Sequence, residues 1–264
     1  MKKDKKEKKV IYYRDELNDE FSSAQITPKK IDANYKYEHT SLWKRFTHFF
    51  WYRIVATPIA FVFLKLRFRH KIVGKKAIKK AKDTGFFIYG NHTQPIADAL
   101  IPSFICMPKE VYVIVHPNNV SMPFLGRVTP SMGALPLPDD FEARKNFIKI
   151  VEKRIMQKKA VTIYPEAHIW PYYTGIRPFT DASFHYPVKH DVPAFCFTNT
   201  YKKRKFSSHP KMITYVDGPF YPDKSLPQRE QKTALRNEVY ECMVKRSALS
   251  DLSYIEYKKE EKND

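Results

Sequence analysis

Five short runs of β-branched and aromatic residues, each bounded by glycine, proline or charge, recur along this chain: Phe86–Tyr89, Val111–Val115, Ala160–Tyr164, Pro193–Phe197 and Lys211–Val216. A continuous apolar run of this length suits a strand covered on both faces, the signature of a parallel sheet between helices. Helical periodicity alternates with the runs. It is clearest from Phe141 to Met156, behind an Asp139-Asp140 start, and from Gln228 to Arg246. The alternation predicts an α/β fold with a largely parallel central sheet of about five strands, flanked by helices.

With 264 residues, 43% of them hydrophobic, the chain can bury one sizeable core and has room for tails. The expected division is a basic, partly disordered N-terminal extension (1–40), a helical interfacial segment (41–70), an α/β domain (71–250) and a charged mobile tail (251–264). Met1 to Lys9 holds six lysines against Asp4 and Glu7, which supports the reading of the start. No apolar segment follows that charged start, so no signal peptide is expected. Cys106, Cys196 and Cys242 are far apart with no C-x-x-C, which suggests neither a zinc ribbon nor a disulfide framework and fits a reducing, cytosol-facing location.

The 47 Lys and Arg outnumber 28 Asp and Glu, and a net charge of +19 attracts polyanions, either nucleic acid or an anionic membrane surface. The segment Leu42–Phe68 separates the two. Trp43, Phe46, Trp51, Ile59, Phe61 and Leu66 alternate there with Lys44, Arg45, Arg53, Lys65 and Arg67. Its longest uncharged run, Ile54–Leu64, has eleven residues and reaches about 16 Å as a helix, against about 30 Å for a bilayer core. Such a segment lies in an interface instead of crossing it, with Pro58 dividing it into two pieces. A buried helix covering the sheet is the plainer alternative. No RNA- or DNA-recognition motif accompanies the charge, and no specific nucleic-acid partner is expected.

Two motifs close two of the apolar runs about seventy residues apart: Asn91-His92-Thr93-Gln94-Pro95-Ile96-Ala97-Asp98 and Tyr164-Pro165-Glu166-Ala167-His168. In α/β folds the chemistry gathers at strand ends. Pro95 suits the first turn of a helix over Ile96–Ile105. His92 and Asp98 then meet if His92 folds back over the helix start. There Asp98 accepts the Nδ1 proton and Nε2 is left as a general base. On its own, the pair also reads as a capped loop, and Glu166 as a turn cap.

Together the motifs resemble those of the glycerolipid acyltransferase family, which includes the lysophosphatidic acid acyltransferases. Asn91-His92 with Asp98 is similar to N-H-x-x-x-x-D with one extra residue. Tyr164-Pro165-Glu166 resembles the start of F-P-E-G-T-R-S, Thr174–Phe179 the turn after it, and Val192-Pro193-Ala194 the fourth motif. Gly133–Asp139 lacks the second motif's arginine, and Ile169 stands where the third has one.

The resemblance implies acyl transfer from acyl-CoA or acyl carrier protein to a lysophospholipid or glycerol phosphate hydroxyl, with no bound cofactor and no metal. It implies His92 and Asp98 as catalytic residues and Asn91, Pro165 and Glu166 as substrate-binding ones. Arg127, Arg144 and Arg177 are the candidates for holding a phosphate, since arginine binds phosphate bidentately, although each also reads as a solvated charge. The implied location is the cytoplasmic face of the cell membrane, peripheral or monotopic. A metal-dependent hydrolase using His92, Asp98, His116, His168, His185 and His190 is a competing reading, although their spacing matches no standard ligand set. A non-enzymatic basic membrane or RNA binder is the other.

Overall fold

In the computed structural model, residues 9–22, 26–38, 41–123 and 125–260 are described; the lysine-rich start up to Lys8 and residues 261–264 lie outside them. The strands among these residues are β1 (Lys9–Tyr13), β2 (Lys71–Val73), β3 (Phe86–Gly90), β4 (Val111–Val115), β5 (Ala134–Pro136), β6 (Ala160–Ile163), β7 (Ala194–Arg204), β8 (Ser207–Phe220) and β9 (Ile255–Lys259). The α-helices are α1 (Leu42–Phe49), α2 (Thr57–Phe68), α3 (Ala97–Cys106), α4 (Asn118–Ser121), α5 (Leu125–Val128), α6 (Phe141–Met156), α7 (His185–His190) and α8 (Gln228–Ser247).

A seven-stranded sheet runs in the order β2-β8-β7-β3-β6-β4-β5. The five apolar runs supply its middle, and the pairings among β3, β4, β5, β6 and β7 are parallel. Strands β7 and β8 form a long antiparallel hairpin through Lys205-Phe206, so β8 reverses direction and β2 joins it in parallel. The three-residue strands β2 and β5 are too short to show a periodicity in sequence.

Side chains alternate across this sheet. Phe87 and Tyr89 of β3 face one core with Phe147 and Val151 of α6 and Leu235, Val239 and Met243 of α8. Phe86 and Ile88 face a second core with Ile101 and Ile105 of α3 and Leu64 and Phe68 of α2. Every residue of β3 is buried, as expected of a strand covered by helices on both faces. Gly90 ends it for a steric reason: a Cβ there would come 2.2 Å from the ring of Phe197 on the neighbouring strand.

The α6 boundaries match the sequence expectation, and Asp140 caps the helix by accepting from the Ala143 amide at 2.7 Å. From Leu42 to Phe68 the helix does not break at Pro58. A π-helical stretch, Phe50–Ala56, joins α1 to α2, and Pro58 sits in the first turn of α2. The widened turn is completed by Thr57, whose amide and hydroxyl both donate to the Tyr52 carbonyl, the hydroxyl at 2.7 Å. The tail expected to be mobile contributes β9, which pairs in parallel with β1 from Lys9↔Ile255 to Tyr13↔Lys259.

Candidate active site

The loop Asn91–Ile96 leaves β3 and enters α3, and its conformation is organised around one buried carboxylate. Asp98 Oδ2 accepts the Thr93 and Gln94 amides, each at 2.8 Å, and lies 2.9 Å from His92 Nδ1. His92 is thereby folded back over the helix start, as its sequence position required. Its Nε2 has no partner among the described residues, and the side chain is 18% exposed. Because Nδ1 faces a carboxylate, that nitrogen carries the proton and Nε2 presents its lone pair.

Asp98 is held from the other side by Asn199, whose Nδ2 donates to Oδ1 at 3.1 Å. Asn199 is in turn fixed by Asn91: the Asn91 side chain exchanges two hydrogen bonds with the Asn199 backbone, at 3.1 and 2.8 Å, continuing the β3–β7 ladder past the end of β3. Thr214 donates to Asn199 Oδ1 at 2.6 Å, and His70 Nε2 lies 2.7 Å from the same hydroxyl. Thr214 has one proton and gives it to Asn199, so His70 donates from Nε2. Burial, aided by nearby Lys65, pulls the His70 pKa down to about 4, which keeps the ring neutral. A continuous polar chain thus runs from the end of α2 to His92.

Tyr164 supports the ring. It stacks on His92 with centroids 4.4 Å apart and donates its hydroxyl to the Asp98 carbonyl. Pro165 follows β6 and Glu166 turns inward, where its carboxylate accepts the His92 amide and the Arg177 amide, each at 3.4 Å. Arg177 lies 3.5 Å from it, is itself 1% exposed, and donates to the Glu16, Glu166 and His168 carbonyls. Burial raises the Glu166 pKa to about 7 against the opposing pull of Arg177. Trp170 donates its amide to the His92 carbonyl at 3.1 Å and anchors an aromatic cluster with Tyr13, Phe21 and Tyr257.

These contacts sort the residues expected at the site. His92, Asp98, Asn91 and Glu166 come together around one loop, with Asn91 and Glu166 holding protein groups in place. Arg177 is engaged inside the protein. Arg127 is exposed and lines a separate depression with Lys29 and Ser121, and Arg144 is exposed on α6, beside Tyr186 over the first core. Neither arginine is brought to His92. Sequence reasoning missed Asn199, Thr214, His70 and the role of Tyr164. The signal present was the polar stretch Thr198-Asn199-Thr200, which follows the apolar run Ala194–Phe197 and is as fully buried as that run.

Among the described residues, the histidines of the metal reading form no ligand cluster. Cys196, Asp217 and Cys242 do come within 4.8 Å of one another, but Asp217 holds Arg246 with both oxygens, at 2.6 and 2.8 Å. An apolar groove runs beside α3, lined by Tyr52, Ala60, Leu100, Phe104, Val113 and Ala134 among others.

Residues 69–198, which include both motifs, match the acyltransferase family model. The chain carries a domain of the acyltransferase family. No curated protein matches the chain. The crystal structure of the 1-acyl-sn-glycerophosphate (LPA) acyltransferase PlsC from Thermotoga maritima is similar with a TM-score of 0.50 at 14% identity, covering 80% of this chain and 98% of that one. At that identity the likeness is one of fold: a mixed α/β domain with a mostly parallel sheet between helices.

Proposed function

We propose that the protein is a glycerolipid acyltransferase moving a fatty acyl group from an acyl thioester, acyl-CoA or acyl carrier protein, to a hydroxyl of a lysophospholipid or glycerol phosphate. The observation that carries this reading is the orientation of His92, its Nδ1 held by Asp98 at 2.9 Å and its Nε2 unpartnered. Nε2 removes the hydroxyl proton as the acceptor oxygen attacks the thioester carbonyl carbon. The tetrahedral intermediate then collapses by breaking the C–S bond, and the protonated His92 returns the proton to the departing sulfur. No protein nucleophile is needed. The Thr93 and Gln94 amides are taken by Asp98, which leaves the amides at the start of α3 to stabilise the oxyanion.

The groove beside α3 supports a lipid substrate, since it is lined mostly by apolar side chains and adjoins the helix whose first turn carries Asp98. Helix α2 forms part of its wall, and the same helical segment exposes Trp43, Phe46, Ile59 and Leu66. Among the described residues no helix is long and apolar enough to cross a membrane. The segment suits shallow insertion into an anionic surface, a peripheral or monotopic arrangement at the cytoplasmic face.

The test is acyl transfer from acyl-CoA to lysophosphatidate by purified protein on anionic vesicles. His92→Ala is expected to lower kcat by about 10²–10⁴, the usual contribution of a positioned base. Full activity in that variant would refute the mechanism.

A further inference from the structure

Three arginines gather where α2 ends and β7 leaves the sheet, and they have no acid among them. Arg204 donates from Nη2 to the Arg67 carbonyl at 2.9 Å, and Arg67 donates from Nη2 to the Tyr172 hydroxyl at 2.9 Å. Among the described residues none of Arg67, Arg69 and Arg204 is in an ion pair; the nearby carboxylate of Asp251 is engaged by Lys202 at 3.4 Å and by the Lys203 amide at 2.8 Å. Arg67 Nη1 and Arg204 Nε are buried without a hydrogen-bond partner. Burial and the fields of Arg69 and Arg67 all pull the Arg204 pKa down, so the cluster repels itself. Buried donors and uncompensated like charge are costly in a folded protein unless an anion completes them.

The backbone around the cluster is strained. Arg69 caps α2 with φ of 45°, in the left-handed region where a helix end favours glycine, and Tyr172 has φ of 61°. Tyr172 also connects the cluster to the catalytic loop. Its amide donates to the Thr93 carbonyl at 3.0 Å, one residue from His92, and its ring packs on Tyr201, whose hydroxyl meets both Thr93 and Gln94. The two arginines that the family's motifs supply are missing from this chain, and the arginines nearest those motifs in sequence lie elsewhere or are engaged.

We infer that Arg67, Arg69 and Arg204 form a phosphate-binding site that is joined to the His92 loop through Tyr172 and holds a phosphate group of one of the two substrates during transfer. Guanidinium groups match phosphate oxygens with paired donors, and here three of them converge from two elements. The inference rests on the acyltransferase reading for its substrates, while the site itself is a statement about anion binding. Its chemistry serves either source: the headgroup phosphate of the acceptor or the phosphates of the coenzyme A donor.

Isothermal titration of the full chain with inorganic phosphate reads the site without catalysis. Arg67→Gln and Arg204→Gln are each expected to weaken binding about tenfold or more, the loss of one charge-assisted hydrogen bond. Lys145→Gln, which removes the same charge from the surface of α6, should leave binding unchanged. Arg69→Gln, at an exposed position, replaces either variant that fails to melt like the parent. Kinetics then separates the sources. A raised KM for lysophosphatidate but not for monoacylglycerol assigns the acceptor phosphate; a raised KM for acyl-CoA but not for acyl-pantetheine assigns the donor. Unchanged phosphate binding in the variants overturns the site, as does a loss confined to vesicle binding. If the parent binds phosphate and the variants do not, yet no acyl transfer occurs, the site stands and the acyltransferase reading falls.

Discussion

Asp98 accepts four donors, from His92, Thr93, Gln94 and Asn199, and this arrangement accounts for the unusual spacing of the first motif. Five residues separate His92 from Asp98, one more than the pattern it resembles, and the Thr93 and Gln94 amides wrap the longer loop back onto the carboxylate. Asn199→Ala removes the only side-chain donor to Oδ1 among the described residues. It is expected to lower kcat about tenfold, the effect of one hydrogen bond to a charged group, with KM for both substrates near the parent value. Glu166 makes a different prediction. Its pKa rises from an ordinary 4.5 to about 7 on folding, so the folded protein binds more protons than the unfolded chain across that interval. Stability contributed by this group is therefore greatest below pH 4.5 and falls as pH rises toward 7. Chemical denaturation of Glu166→Gln and the parent at several pH values should show the difference between them changing with that sign; a pH-independent difference would rule it out. At this scale, sequence disclosed the His92–Asp98 pair because the two lie close in sequence, one in the loop and the other in the first turn of the helix it enters. It did not disclose Asn199, because the partner is 101 residues away and only the register of β7 against β3 brings it there.

The helical segment Leu42–Phe68 presents two different faces. Tyr52, Ala60, Leu64 and Phe68 are buried against the domain, while Trp43, Phe46, Ile59 and Leu66 are 57–76% exposed. The first set covers the sheet as an ordinary core helix does; the second offers apolar surface that solvent alone does not explain. Deleting the segment would remove both and unfold the second core, so substitution is the sharper test. Trp43→Ser, Phe46→Ser and Leu66→Ser together should abolish flotation with anionic vesicles, since each buried side chain contributes on the order of 1.5–3 kcal/mol to partition. The melting temperature should stay near that of the parent, because none of the three packs on the domain. Flotation unchanged by the triple substitution would remove the membrane role. Element reading was dependable where a periodicity ran long enough, as in α6, and where apolar runs filled central strands. It failed for β2 and β5, whose three residues carry no pattern, and at Pro58, where a π-helical turn absorbs the missing amide.

At the scale of the whole molecule, the two ends of the chain are stapled together, and the staple reaches the site. Strands β1 and β9 pair in parallel across 246 residues of sequence, reinforced by an Arg14–Glu260 ion pair. No local signal announces such a pairing, since each strand is half-exposed and charged and its partner is at the far end of the chain. The contact that reaches toward the candidate site is Tyr257, stacked on Trp170 at 4.9 Å and donating to the Pro171 carbonyl at 2.9 Å. Trp170 donates its amide to the His92 carbonyl, and the next residue but one, Tyr172, bonds to Thr93. The aromatic cluster therefore buttresses the loop that carries His92, from a strand that looks dispensable in sequence. Tyr257→Ala removes a large, partly buried ring and is expected to cost on the order of 2–3 kcal/mol, a fall in melting temperature of about 4–12 °C for a domain of this size. If the cluster serves the site as well as the fold, kcat measured well below the melting transition should also fall, and Tyr257→Phe, which keeps the stack and loses one hydrogen bond, should recover most of both. A melting temperature lowered by Tyr257→Ala with kcat unchanged would confine the staple to stability and leave the loop held by Glu166 and Asp98 alone.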